Sequence, residues 1–104
     1  VLDYVETLAK TPIGIYFSDQ ISRSSVSSAL NYGEAQAAES RRDFSHKMQV
    51  VLKEFKETYI ALKITKKRKM GDQLLLVPIL DESNQLCAIF TTSVHKVKSQ
   101  NPKS

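Results

Sequence analysis

The segment 34–58, EAQAAESRRDFSHKMQVVLKEFKET, constrains the fold more than any other part of the chain. Its 25 residues contain no glycine or proline and are rich in strong helix formers. Apolar residues recur along it at helical spacing, and together they form one stripe: Phe44, Met48, Val51, Leu52, Phe55 and Tyr59. The sequence therefore predicts one long amphipathic helix, about 37 Å in length, whose apolar face must pack on another element.

Downstream of this helix the apolar pattern changes from helical spacing to that of strands. YIALKIT (59–65) alternates, QLLLVPIL (73–80) is a nearly continuous apolar run, and QLCAIFTTS (85–93) is rich in β-forming residues. Gly71-Asp72 and DESN (81–84) are typical of turns. The pattern predicts a three-stranded antiparallel meander, although Pro78 argues against a fully paired central strand.

The first third of the chain predicts a short helix, a strand and a loop. LDYVETLAK (2–10) has helical spacing and ends before Pro12, IGIYF (13–17) alternates, and the serine-rich stretch 22–28 favours a loop or a weak helix. We expect an α+β fold, an antiparallel sheet of about four strands with the long helix and the short N-terminal helix packed on it. Residues 1–98 are predicted to form a single domain, and 99–104 a frayed C-terminal tail.

Positive charge is concentrated in the second half of the chain. The net charge is −1 over residues 1–60 and +5 over residues 61–104, and four consecutive cations form the run 66–69. At the tip of a predicted hairpin, this run is suited to phosphates, to an import receptor or to an acidic protein, but it also fits a solvated turn. The candidate contact residues for an anion or a partner are Lys63, Lys66, Lys67, Arg68 and Lys69.

The N-terminal half of the long helix is a second candidate for contact with another molecule. A helix of this length is longer than a small sheet requires, and its alanines permit close approach of another chain. The candidate residues for a dimer or partner interface are Ala35, Ala38, Arg41 and Arg42. The alternative is that this half packs on the N-terminal helix of the same chain.

The sequence lacks the residue patterns of catalytic, cofactor and metal sites. It has one cysteine, Cys87, two histidines 49 positions apart, and three glycines that form no phosphate-binding loop. We therefore predict no enzyme activity, no cofactor and no metal site. A single cysteine, no signal peptide and no apolar run near the roughly 18 residues of a membrane span predict an intracellular protein, cytoplasmic or nuclear, without a membrane partner.

Two segments resemble the ends of PAS and GAF domains. VLDYVETLAKTPIGIYFSD (1–19) is similar to their opening helix and first strand, and LLLVPILDESNQLCAIFTTS (74–93) is similar to their closing hairpin. The middle of the chain departs from both families, because one long helix replaces a second strand and short helices. The resemblance implies a sensory or regulatory role, commonly through dimerisation, and it carries over no ligand site.

Three functions follow from these observations, in order of preference. The first is a non-enzymatic protein-interaction or regulatory module that dimerises or docks a protein partner. The second is nucleic-acid binding through the basic hairpin 66–69. The third is a small-ligand sensory domain of the PAS or GAF kind.

Overall fold

The chain folds into helices joined by short turns in a computed structural model that describes residues 1–100. These helices are α1 (Leu2–Val5), α2 (Pro12–Gln36), α3 (Arg41–Lys67) and α4 (Gln73–Gln100). The described residues contain no β-strand, so the predicted α+β fold with an antiparallel sheet is wrong. The predicted frayed tail is in α4 at residues 99 and 100, and its last four residues lie outside the described part.

Local capping residues determine where the long helices begin. Thr11 accepts a hydrogen bond on its Oγ1 from the N–H of Gly14 at 3.1 Å, with Pro12 in the first turn of α2. Ser40 accepts one on its Oγ from the N–H of Asp43 at 3.0 Å. This second cap divides the helix predicted over 34–58, since α2 ends at Gln36 and α3 starts after Ser40.

The segment 59–65, predicted as a strand, continues α3. Thr58, Ala61, Leu62 and Thr65 are buried at helical spacing. Within the apparent alternation Leu62 is completely buried, whereas Ile60 remains 56% exposed. The alternation of apolar and polar residues over 59–65 therefore does not correspond to one buried face of a strand.

The two other predicted strands of the meander, and the turn between them, form α4. The residues that α4 turns towards the rest of the protein recur every three or four positions: Leu76, Leu80, Ser83, Cys87, Phe90 and Val94. Pro78 is on the exposed side in the second turn of this helix. A continuous apolar run is compatible with a helix as well as with a buried strand, and here the helix is formed.

The predicted strand 13–17 and the serine-rich stretch 22–28 both lie within α2. Phe17, Ile21, Ser24 and Ser28 form a buried stripe at helical spacing. The small serine side chains let α2 approach α3 closely, and Ser24 Oγ lies 2.7 Å from Thr58 Oγ1 across that interface. Among the described residues no buried side-chain nitrogen or oxygen lacks a hydrogen-bond partner, so this polar interface carries no unpaired group.

Helix α3 lies between α2 and α4 and runs antiparallel to both. In the described residues no Cα of α2 comes within 8 Å of a Cα of α4. The short helix α1 packs against both flanking helices at one end of the molecule, which measures 47 × 19 × 17 Å. The element that positions everything else is therefore α3.

Two apolar clusters stabilise the two ends of this arrangement. The cluster at the α1 end is formed by Tyr4, Val5, Leu8, Phe17, Ile21, Ala61, Leu62 and Leu76. The cluster at the opposite end is formed by Ala35, Met48 and Val94, with Phe44, Leu52 and Phe90 packed against it. In the second cluster the ring of Phe90 packs edge to face on Tyr32 and Phe55, at centroid distances of 5.7 and 4.9 Å.

Much of the apolar surface of α4 remains exposed. Leu74 is 88% exposed, Ile89 58% and Val77 53%. By length and composition alone the stretch Gln73–Ser99 is apolar enough to cross a membrane, with a mean hydropathy of 1.2 and 11% of its most apolar part buried. The same helix carries the charged residues Asp81 and Glu82 and packs on α3. The structure therefore raises the question of what covers the exposed apolar side chains of α4.

The core position Leu62 should be sensitive to truncation. Leu62→Ala removes a completely buried side chain from the larger cluster, so we expect the free energy of unfolding to fall by about 2–5 kcal/mol. Urea denaturation measures this change. The control Ile60→Ala, on the exposed side of the same helix, should cost less than about 1 kcal/mol, and an equal loss for both variants would contradict the packing described.

Two glycines should respond in opposite directions to the same substitution. Gly71 has a φ of +70°, and an added Cβ would come within 2.8 Å of Thr7 Oγ1, so Gly71→Ala should destabilise by at least about 1 kcal/mol. Gly33 lies in α2 with open space around it, so Gly33→Ala should stabilise by up to about 1 kcal/mol. Thermal and urea unfolding of both variants test this difference in sign.

Candidate functional site

The basic run 66–69 was predicted to form the tip of a β-hairpin, but in the structure it lies at the end of a helix. Lys66 and Lys67 lie in the last turn of α3, Arg68 is its C-cap, and Lys69 adopts a left-handed conformation with φ 54°. All four side chains are exposed. Cations in this position complement the partial negative charge at the carboxyl end of the helix. The run can therefore stabilise the end of α3, and it can also bind an anionic ligand.

The turn after the basic run is held by the N-terminal segment. The Tyr4 hydroxyl donates a hydrogen bond to the carbonyl oxygen of Met70 at 2.7 Å, and the N–H of Asp72 donates one to Thr7 Oγ1 at 2.8 Å. Burial raises the pKa of Tyr4 above its ordinary value, so the hydroxyl remains protonated and able to donate. These hydrogen bonds therefore fix the carboxyl end of α3 relative to the amino end of α4.

An open groove of about 620 Å³ lies between the last turns of α3 and the first turns of α4. Its α3 wall consists of Tyr59, Lys63, Lys66 and Lys67. The Lys63 ammonium lies 5.1 Å from the centroid of the Tyr59 ring, which is within the range of a cation–π contact. Three of the five predicted contact residues thus share one groove, and we call it the Tyr59 groove.

The α4 wall of the Tyr59 groove combines apolar and hydrogen-bonding side chains. Val77 and Leu80 supply the apolar part, and Asp81 and Asn84, three residues apart on the helix, supply the polar part. One oxygen of Asp81 accepts a hydrogen bond from Gln85 at 3.0 Å. The other carboxylate oxygen and the amide of Asn84 are available to a ligand in the groove.

Further lysines extend the positive charge along α3. Lys53, Lys56, Lys63 and Lys67 fall within an arc of roughly 80° on the helix and cover about 21 Å of its length; we call them the lysine stripe. Lys53 and Lys56 also line a second groove of about 420 Å³ with Lys98 of α4. The sequence analysis did not propose Lys53 or Lys56 as contact residues. The four lysines of the stripe follow one another at intervals of three, seven and four residues, and this spacing indicates a single helix face.

Two carboxylates in the middle of α3 line a further pocket on the α2 side of the helix. Glu54 and Glu57 line a small pocket of about 210 Å³ with Arg23 of α2. Arg23 donates a hydrogen bond to Gln20 at 2.6 Å on the same helix. Glu57 also lines the second groove beside Lys53 and Lys56, so its carboxylate offsets part of the positive potential at that end of the lysine stripe.

The other predicted contact residues lie around the turn between α2 and α3. Ala35 is 1% exposed and packs inside the chain against Met48 and Val94, so its surface is already used internally. Ala38 is half-buried in the turn. Arg41 and Arg42 begin α3 with exposed side chains, at the end of the helix opposite to the basic run.

The described residues contain no group of three His, Cys, Asp or Glu side chains arranged to hold a metal ion. His46 and His95 are exposed on different helices. Cys87 is half-buried on α4, and burial raises the pKa of its thiol while Lys56 acts in the opposite direction. A raised pKa lowers the fraction of reactive thiolate, so Cys87 is a weak candidate for a reactive site. The surface with the most groups suited to a ligand is the cationic surface of α3.

Comparison with known proteins identifies the family. No curated protein matches the chain. A crystal structure of a protein of unknown function from the S23 ribosomal protein family of Bacteroides thetaiotaomicron is 29% identical, with a TM-score of 0.69, and the match covers 75% of this chain and 72% of that one. The family model described as 23S rRNA-intervening sequence protein matches residues 5–92.

The resemblance to PAS and GAF domains is therefore wrong. It depended on a strand at 13–17 and a closing hairpin at 74–93, and both segments are helical. Similar hydrophobic patterns arose from helices that are apolar around much of their circumference. With a family match over most of its length, the chain belongs to the 23S rRNA-intervening sequence protein family.

Proposed function

We propose that the chain is a non-enzymatic RNA-binding protein that contacts RNA through the lysine stripe of α3. The observation that carries this proposal is the alignment of four lysines on one exposed helix face. Each lysine neutralises a phosphate and releases counterions, which contributes binding energy independent of sequence. The family description, which names a 23S rRNA-intervening sequence, supports RNA as the class of nucleic acid.

The geometry supports backbone contact along a line. Consecutive members of the lysine stripe are separated by about 4.5 to 10.5 Å along the helix axis, and long lysine side chains adapt readily to phosphates at such distances. The second groove adds Lys98 beside Lys53 and Lys56. An intracellular location agrees with this function, and the bacterial relative of the S23 ribosomal protein family supports it.

Neutralising the lysine stripe should weaken RNA binding and lower its dependence on salt. For the triple variant Lys56→Gln, Lys63→Gln, Lys67→Gln we expect the slope of log affinity against log salt concentration to fall in magnitude by about two. Fluorescence anisotropy with labelled RNA at several salt concentrations measures the slope.

A matched control separates position from total charge. The triple variant Lys10→Gln, Arg23→Gln, Lys96→Gln removes the same charge from exposed positions outside α3, and it should retain most of the binding and most of the slope. Equal losses in the two triple variants would contradict a defined lysine stripe. Absence of binding by the wild-type protein at low salt would contradict RNA binding itself.

A second function, self-association through α4, is favoured by a separate observation. The stretch 73–95 contains no lysine or arginine, and Leu74, Val77 and Ile89 are each more than half exposed on it. Exposed apolar side chains are stabilised when they are removed from water. Asp81 and Glu82 are the only acidic residues of this stretch, and its exposed apolar side chains suit a second copy, because an interface between identical patches must be self-complementary.

Charged substitutions on α4 should abolish this association. We expect the wild-type protein to show a mass that rises with concentration in analytical ultracentrifugation, and Leu74→Glu, Ile89→Glu to shift it to the monomer. The control Val26→Glu, Leu30→Glu places the same charges on exposed apolar positions of α2 and should leave the mass unchanged. A wild-type protein that is monomeric at all concentrations would contradict the proposal.

A further inference from the structure

The Tyr59 groove contains groups that the phosphate-binding function of the lysine stripe does not require. A surface that contacts only phosphates needs cations, yet this groove also presents an aromatic ring, an apolar wall and two hydrogen-bonding side chains. These are the groups that protein sites use for an unstacked base. The groove therefore has a chemistry of its own beside the lysine stripe.

We propose that the Tyr59 groove holds one unpaired nucleotide of a single-stranded RNA segment, an inference that rests on the proposed RNA binding by α3. The base stacks on the ring of Tyr59, opposite the apolar wall formed by Val77 and Leu80. The phosphates on either side of the nucleotide contact Lys63 and Lys66. The groove, at about 620 Å³, lies within the size range of small-ligand sites.

The polar side chains of α4 are positioned to meet the edge of the base. Asp81 has one carboxylate oxygen engaged by Gln85, and its other oxygen accepts a hydrogen bond from an N–H of the base. Asn84, one helical turn further along, offers an N–H₂ donor and a carbonyl acceptor. A paired base has these edge groups occupied by its partner and its faces covered by neighbours, so a duplex cannot use the groove in this way.

The rigidity of the groove supports this assignment. Its two walls belong to helices whose connection is tied down by the hydrogen bonds of Tyr4 and Thr7. Lys63 is held near the Tyr59 ring, so a cation and a stacking surface are already next to each other before a ligand arrives. A preformed site loses less freedom on binding.

The test compares a labelled single-stranded RNA of about ten nucleotides with a duplex of the same sequence, using fluorescence anisotropy. Wild-type protein should prefer the single strand. Tyr59→Ala should weaken single-strand binding roughly tenfold or more and leave duplex binding unchanged. Tyr59→Phe, which keeps the ring face, should stay within about twofold of the wild type.

A second variant keeps the test decisive if loss of the half-buried Tyr59 ring impairs folding. Asn84 is exposed, so Asn84→Leu should fold normally while it removes the edge contact and narrows the groove, with an expected loss of about fivefold for the single strand only. Circular dichroism melting curves confirm folding of each variant.

The outcomes separate this inference from the function on which it rests. If wild-type protein binds neither RNA at low salt, the proposed RNA binding fails and this inference fails with it. If RNA binds and the lysine-stripe variant loses affinity, but Tyr59→Ala and Asn84→Leu bind as the wild type does, RNA binding stands and the nucleotide site is overturned. Equal losses for single strand and duplex in these two variants also overturn it.

Discussion

Burial of the two sides of α3 is the constraint on which the rest of the structure depends. This helix has an α2-facing side with Thr58 and an α4-facing side near Leu62, and Leu62 itself joins residues from α1, α2 and α4 in one cluster. Because α2 and α4 have no close backbone contact with each other in the described residues, their positions are set mainly through α3. The lysine stripe lies along the solvent-exposed edge of the α4-facing side, where its members line grooves with α4.

The two interfaces of α3 differ in chemistry. The α2 side is built from small and hydroxylated residues such as Ser24, Ser28 and Ala61, whose size allows the helix backbones to approach. Their hydroxyl groups bond to backbone carbonyls or to each other, as between Ser24 and Thr58. The α4 side uses larger apolar residues and leaves grooves along its edges. The cationic surface and the candidate ligand groove both arise on this less closely packed side.

The basic run illustrates how far the sequence leads toward the site. Lys66, Lys67, Arg68 and Lys69 are recognisable as a charge cluster from the letters alone, and their exposure follows from the cost of burying unpaired charge. Which of them share a surface with Lys53 or Lys56 depends on α3 continuing through residue 67. The predicted strand at 59–65 concealed that relation, because a change of secondary structure changes which side chains face the same way.

The same limitation applies to the groove. Tyr59 was interpreted as the end of an apolar core stripe, and Asp81 with Asn84 as a polar turn. In the structure the antiparallel packing of α3 and α4 brings these three side chains to one groove with Lys63. Tyr59 is more than twenty residues from Asp81 and Asn84 in the chain, and residue spacing carries no information about which two helices become neighbours.

What the sequence determined by itself are the local features whose physical causes lie within a few residues. Gly71-Asp72 forms a turn as predicted, and Thr11-Pro12 is a helix boundary, although it was interpreted only as the end of the preceding helix and it also begins α2. Caps, fixed φ values and left-handed conformations are short-range properties. Tertiary structure decided that 13–17, 59–65 and 73–93 are helical. Their β-branched and apolar residues favour strands only weakly, and burial against the neighbouring helices at helical spacing outweighs that preference because it removes far more apolar surface from water.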